Sequence, residues 1–231
     1  RTTPAEHIGA DARWIDESFQ ITIQGEMREA ELFGENMVLR RKIETTYGTS
    51  SIKIIDEVTN ENFRSEPLML MYHFNAGYPF LAPGCELVIP TMNVKPREDL
   101  SKTQVERWHI IDPPRENEPE YVFIHELASD IEGKTFVAVW NPVLEIGFKL
   151  SFNINEMPHF YQWKSTAAGD YVLGLEPANA SVYGRLYHSE RHSIPMLPPL
   201  ATKKIELEIE LYDQIETFRA IKQISKDLIE K

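Results

Sequence analysis

An imidazole and a carboxylate set among apolar neighbours are the side chains best suited to moving protons near neutral pH. The sequence places one of each in such surroundings. The first lies in Leu68-Met69-Leu70-Met71-Tyr72-His73-Phe74-Asn75-Ala76-Gly77-Tyr78-Pro79, which reads as a strand with a buried face running into a turn. His73 and Asn75 are two residues apart, so on a strand both point to the same side. Together they can grip hydroxyls, although a core histidine satisfied by backbone groups fits the spacing equally well. The second lies in Tyr171-Val172-Leu173-Gly174-Leu175-Glu176-Pro177-Ala178-Asn179. An apolar strand ending in a carboxylate is unusual, because glutamate is seldom buried without a partner. Partial desolvation would raise the Glu176 pKa and make it a better base near neutral pH. The plainer reading is a strand-end glutamate paired with Arg185.

Strands must carry these groups. Runs rich in β-branched and aromatic residues, separated by Gly, Pro, Asn and Asp, recur from Phe19 to Glu210. The clear ones are 19–25, 36–47, 51–58, 68–72, 86–89, 121–127, 135–140, 145–152, 171–175 and 203–211. In Lys204-Ile205-Glu206-Leu207-Glu208-Ile209-Glu210-Leu211 the alternation is strict, which predicts a half-buried strand. Prolines crowd the intervening loops and argue against long helices through the middle. From about Asp213 to Ile229, by contrast, Ile215, Phe218, Ile221, Ile224 and Leu228 recur at helical spacing and predict one amphipathic helix. The pattern favours an all-β fold, a large antiparallel β-sandwich with one C-terminal helix, formed as a single domain over 1–231.

Five segments lie in register with a known family. They are Glu35-Asn-Met-Val-Leu-Arg40-Arg-Lys-Ile, Asp56-Glu-Val-Thr-Asn60, Tyr72-His73-Phe-Asn75-Ala-Gly77-Tyr-Pro79, Gln162-Trp163-Lys, and Tyr171 to Asn179 followed by Gly184-Arg185. Across nearly the whole chain, their order and spacing resemble a DUF4432-like branch of the aldose 1-epimerase, or galactose mutarotase-like, proteins. The resemblance implies a galactose mutarotase-like supersandwich that interconverts sugar anomers, with His73 as acid and Glu176 as base facing each other across a ring-sized pocket. It departs from the mutarotase pattern at Tyr72-His73-Phe74-Asn75, which has one residue fewer between His and Asn. An earlier family segment with another sugar-contacting His and Arg is expected to precede Arg1, so the chain reads as a domain lacking its N-terminal portion.

Around the two main candidates, Asn75, Asn179 and Arg185 are read as substrate contacts. Trp163 is read as an apolar platform for a sugar's C–H face and Gln162 as an amide donor, although an aromatic on a strand is commonly plain core. Glu120 and His125 fall near the position where mutarotases hold ring hydroxyls, with structural pairing as the competing role. His188-Ser-Glu-Arg-His192 has the spacing of some metal pairs but reads as a solvated loop without a third ligand. No glycine-rich phosphate loop or nucleophile elbow is present.

The formal net charge of −12 offers no general basic field for a phosphate backbone, so nucleic acid is not expected as a partner. No apolar stretch approaches the ~20 residues of a membrane span. Cys85 is the only cysteine, which excludes an internal disulfide and suits a cytoplasmic setting. The expected partner is a small-molecule sugar, bound by a monomer or homodimer, with no metal or organic cofactor. Two other readings stay open: a sugar-binding module without turnover, and a sugar-phosphate epimerase. The second calls for converging Arg and Lys, of which the site segments offer mainly Arg185 and Lys164.

Overall fold

The computed structural model describes residues 3–231, so Arg1 and Thr2, with which the sequence reading begins, lie outside it. In chain order the strands are β1 (Glu6–Ile15), β2 (Ser18–Ala30), β3 (Asn36–Thr46), β4 (Ser51–Asn60) and the two-residue β5 (Glu66–Pro67). Then come β6 (Phe74–Gly77), β7 (Glu86–Val88), β8 (Thr91–Pro96), β9 (Tyr121–Leu127) and β10 (Lys134–Asn141). They are followed by β11 (Ile146–Asn153), β12 (His159–Ser165), β13 (Val172–Ala178), β14 (Met196–Leu197) and β15 (Thr202–Tyr212). The helices are α1 (Asp99–Lys102), α2 (Gly184–Glu190) and the much longer α3 (Ile215–Ile229), with a 3₁₀ turn at Val105–Arg107. The chain packs as two compact units, one holding the residues up to Met69 with Val182–Glu210, the other Leu70–Ser181 with Leu211–Lys231.

In the first unit β1, β2, β3, β4 and β15 pair antiparallel in that order. Strict alternation along β15 buries Ile205 and Leu207 completely, as the sequence pattern predicts, while Leu211 at its end is half exposed. The same sheet face buries Asp56, whose carboxylate takes two hydrogen bonds from Arg41, at 2.8 Å from Nε and 2.6 Å from a terminal nitrogen. The opposite face is charged. Its cavity of about 460 Å³ is lined by Arg40, Lys42, Lys204, Glu26 and Glu57 among others. Its cations are matched, Arg40 to Glu26 and Glu61, Lys42 to Glu44 and Lys204 to Glu206.

The second unit is a sandwich. One layer has β11, β10 and β7 side by side, and the other runs β6-β13-β12-β9-β8, with antiparallel ladders throughout. Phe152 of β11 stacks on Phe160 of β12, centroids 6.0 Å apart, so the inner faces meet through aromatic side chains. Phe123, Leu150, Leu173 and Leu175 complete a closed core. The amphipathic pattern of α3 is used inside this unit. Phe218 and Ile221 join Val88, Phe136, Ala138 and Trp140 in one cluster, with Ile215 and Leu228 packed at its margin and Ile224 left half exposed.

Some expectations need correction. Residues 68–72 are not a strand: Tyr72 N donates to Pro177 O at 2.9 Å, but Pro177 has no N–H to return, and the ladder starts only at Phe74. β1, β8 and β12 were not anticipated as strands. β1 carries Gly9, Ala10, Asp11 and Ala12, and β8 ends on Pro96, so local propensity is weak and pairing with neighbours defines both. The stretch from His188 to His192 is not a solvated loop, because His188 sits in α2, is buried, and has Nδ1 2.8 Å from Ser193 Oγ.

Candidate active site

Register decides which side chains share a surface. Directly opposed residues on paired strands project to the same side, and their neighbours in sequence project to the other. Trp163 of β12 stands opposite Gly174 of β13, which stands opposite Asn75 of β6, and Tyr161 stands opposite Glu176. These five positions therefore lie on one face of the five-stranded layer. Leu173, Leu175, Gln162, Lys164 and His125 point the other way, into the core.

His73 and Glu176 come together on the first of these faces. The strand pairing of β13 fixes Glu176, and the hydrogen bond from Tyr72 to Pro177 fixes the backbone before His73. His73 Nε2 is 2.9 Å from Glu176 Oε1, with 43% of the imidazole side chain exposed against 6% of the carboxylate. Proximity makes this an ion pair when the imidazole is charged, but the ring N–H is off the line and Oε1 accepts no hydrogen bond from any described group. The contact is therefore coulombic. A buried carboxylate oxygen without a donor is costly, and it is an acceptor in waiting. Burial raises the Glu176 pKa above the ordinary carboxylate value, and the charges of His73 and Arg97 oppose that rise. The two groups are side by side, not separated by the width of a sugar ring.

Around them, Asn75 is exposed on the same face. The Trp163 indole meets the His73 ring edge-on, centroids 5.6 Å apart, and its Nε1 donates to Glu120 Oε2 at 2.9 Å. Glu120 thus anchors the indole. The other sequence candidates are placed differently. Gln162 is wholly buried on the core side, where Nε2 donates to Trp108 O at 2.8 Å and Oε1 lies 3.1 Å from His125 Nε2. With the amide oxygen as acceptor, His125 carries its proton on Nε2 and accepts at Nδ1 from Thr91 Oγ1, 2.8 Å away. Neither side chain reaches the face that holds Glu176. Asn179 Oδ1 accepts from Leu70 N at 2.7 Å and so pins the segment leading to His73. Arg185 pairs with Glu35 at 2.9 Å within the first unit, and the cations acting on Glu176 are His73 and Arg97 instead.

The family profile described as Domain of unknown function (DUF4432) matches residues 1–211. The chain belongs to that family. No curated protein matches it. Among solved structures, a Klebsiella pneumoniae protein provisionally named an aldose 1-epimerase superposes with a TM-score of 0.93 at 23% identity, covering 98% of this chain. The DUF4432 chain spans 59% of that protein's length. A galactose mutarotase-like protein from Clostridium acetobutylicum gives a TM-score of 0.62 at 12% identity, covering 90% of this chain and 67% of its own. An Escherichia coli protein, also provisionally named an aldose 1-epimerase, gives 0.54 at 12%, covering 88% and 68%. At these identities the likeness is one of fold, and the fold is that of the galactose mutarotase-like proteins.

One group in this DUF4432 chain escaped the sequence reading, and another, Lys164, read there as a possible phosphate contact, is placed elsewhere. Arg97 follows Pro96, which hides the alternation that would place it beside Lys95 on the outer face of β8. Lys164 is only 2% exposed; its ammonium donates to the carbonyls of Arg107 and Ile110 at 2.9 and 3.1 Å, and burial lowers its pKa to about 8. It ties the helical turns to the sheet and does not face Glu176.

His125 supplies a test of the core side. Burial depresses its pKa from 6.5 to about 4. The sign follows: stability is full above pH 6.5, and is lost as pH falls from 6.5 towards 4, because the unfolded chain takes up the proton first. At about 1.4 kcal/mol per pKa unit the loss amounts to roughly 3 kcal/mol. Urea unfolding of wild type at pH 7.5 and 4.5 is expected to show this loss, with His125→Gln markedly flatter between the two. Parallel pH dependence in both proteins would show that His125 does not carry it.

Proposed function

We propose that the chain interconverts the anomers of a free aldose by paired acid–base catalysis, with Glu176 as base and His73 as acid. The observation that carries this reading is the buried Oε1 of Glu176, without a hydrogen-bond donor, 2.9 Å from an exposed imidazole. In a hemiacetal the hydroxyl oxygen and the ring oxygen are bonded to the same carbon. An acid and a base standing side by side can therefore serve both without a ring between them. Glu176 removes the hydroxyl proton as His73 protonates the ring oxygen; the C1–O5 bond breaks and the carbonyl forms. Rotation about C1–C2 presents the other carbonyl face. Reclosure returns the O5 proton to His73 and the Glu176 proton to the new anomeric hydroxyl, so the cycle balances with no net proton change.

Supporting this reading, Trp163 offers an indole edge-on to His73 and held by Glu120, and Asn75 offers an exposed amide in the same row. The fold shared with galactose mutarotase-like proteins agrees with it. The test is polarimetry, with NMR exchange of the anomeric protons, on freshly dissolved single anomers of several aldohexoses and their 6-phosphates. The expected result is acceleration proportional to protein concentration for at least one free sugar. Binding of a sugar with no acceleration of any would instead assign the chain as a sugar-binding module, and acceleration confined to the phosphates would assign a sugar-phosphate epimerase.

A further inference from the structure

Gly174 sits in the middle of β13, in an ordinary extended conformation that any residue adopts. Glycine inside a strand weakens it and often marks a place where something approaches the backbone closely. Here the approaching atoms are those of the proposed acid–base pair. A Cβ built at Gly174 would stand 2.7 Å from Glu176 Oε1, 3.0 Å from His73 Cε1 and 3.2 Å from Trp163 Cβ. We infer that Gly174 is a positioning residue whose missing side chain leaves the space in which His73 and Glu176 meet; this rests on the reading of that pair given above.

The energetics separate stability from function. The two nearest obstructed atoms, Glu176 Oε1 and His73 Cε1, belong to the ends of side chains and can be displaced, while Trp163 Cβ at 3.2 Å sits next to the backbone and must give by a few tenths of an ångström. To restore an ordinary contact of 3.4 Å from 2.7 Å the carboxylate oxygen must retreat by roughly 0.7 Å. Such a shift costs the fold little and the reaction much, because a misplacement of about 1 Å costs on the order of 100-fold in rate. Gly77, on the same sheet face one strand away, provides the control. A Cβ there would have its nearest neighbour, Tyr171 O, at an ordinary 3.7 Å.

Gly174→Ala is expected to keep its unfolding midpoint near wild type, lose about 100-fold in kcat, and alter the NMR titration of the His73 imidazole. Gly77→Ala is expected to change none of these. Retention of kcat within about threefold together with an unchanged His73 titration overturns the inference. If Gly174→Ala fails to fold, the Gly174→Ala, Glu176→Ala double variant decides: removing the obstructing carboxylate is expected to restore folding, and a double variant that stays unfolded overturns it. Should wild type turn over no sugar, the kinetic comparison falls with the proposed function. The imidazole titration and the double variant still decide the role of Gly174.

Discussion

Glu176→Gln is expected to lower kcat for anomer interconversion by roughly 10²–10⁴-fold while sugar binding is retained, the loss typical of removing one general base. The substitution keeps the shape of the side chain but makes it a neutral amide, which can neither accept the proton nor hold His73 by charge. Unfolding does not confound it. A carboxyl whose folded pKa is raised, as burial raises that of Glu176, stabilises the fold below the ordinary carboxylate pKa and costs stability above it. A neutral amide escapes that cost at pH 7, so the variant is expected to be at least as stable as wild type. The same shift fixes the sign of the acid limb: wild-type activity falls as pH drops through the raised pKa, and the limb lies above the range of an ordinary glutamate. Polarimetry across pH on both proteins checks all of this. A variant as active as wild type would remove Glu176 from the mechanism, and equal loss of activity and affinity would make it a binding group only.

Phe218→Ala is expected to destabilise the second unit by about 3–5 kcal/mol, as truncations of buried aromatic side chains do. Phe218 is 1% exposed and stacks on Trp140, centroids 5.8 Å apart and planes 18° from parallel. Trp140 in turn stacks on Tyr212 at 5.8 Å, so one truncation opens a three-ring stack that fastens α3 to β10. Urea titration followed by tryptophan fluorescence should show a lower midpoint with an unchanged slope. A loss below about 1 kcal/mol would mean that α3 is dispensable to the cooperative unit.

How much of this was legible in the sequence depends on how local the signal is. The strict alternation of residues 204–211 and the three- and four-residue spacing in 215–228 are properties of single elements, and both were readable. His73 and Glu176 were singled out because each contradicts its apolar surroundings. Their mutual distance was not readable, since it depends on β6 pairing with β13 in the register that sets Asn75 opposite Gly174. The same dependence explains the misplacement of Gln162 and His125. Each was chosen for its chemistry, but adjacent positions on a strand face opposite ways, so accepting Trp163 as outward placed Gln162 inward. Gly174 was visible only as a letter in an apolar run. Its significance appears when three side chains from β12, β13 and the segment before β6 converge on the volume that a methyl group would fill.

The edge-on contact between Trp163 and His73 has a practical consequence. A charged imidazole quenches a neighbouring indole more effectively than a neutral one, by accepting an electron from its excited state, so the emission of Trp163 is expected to follow the charge on the proposed acid. The contact thus offers an optical gauge of the proposed acid without label or dye, once the emission of the other three tryptophans, Trp108 beside His109 and His125 among them, is subtracted.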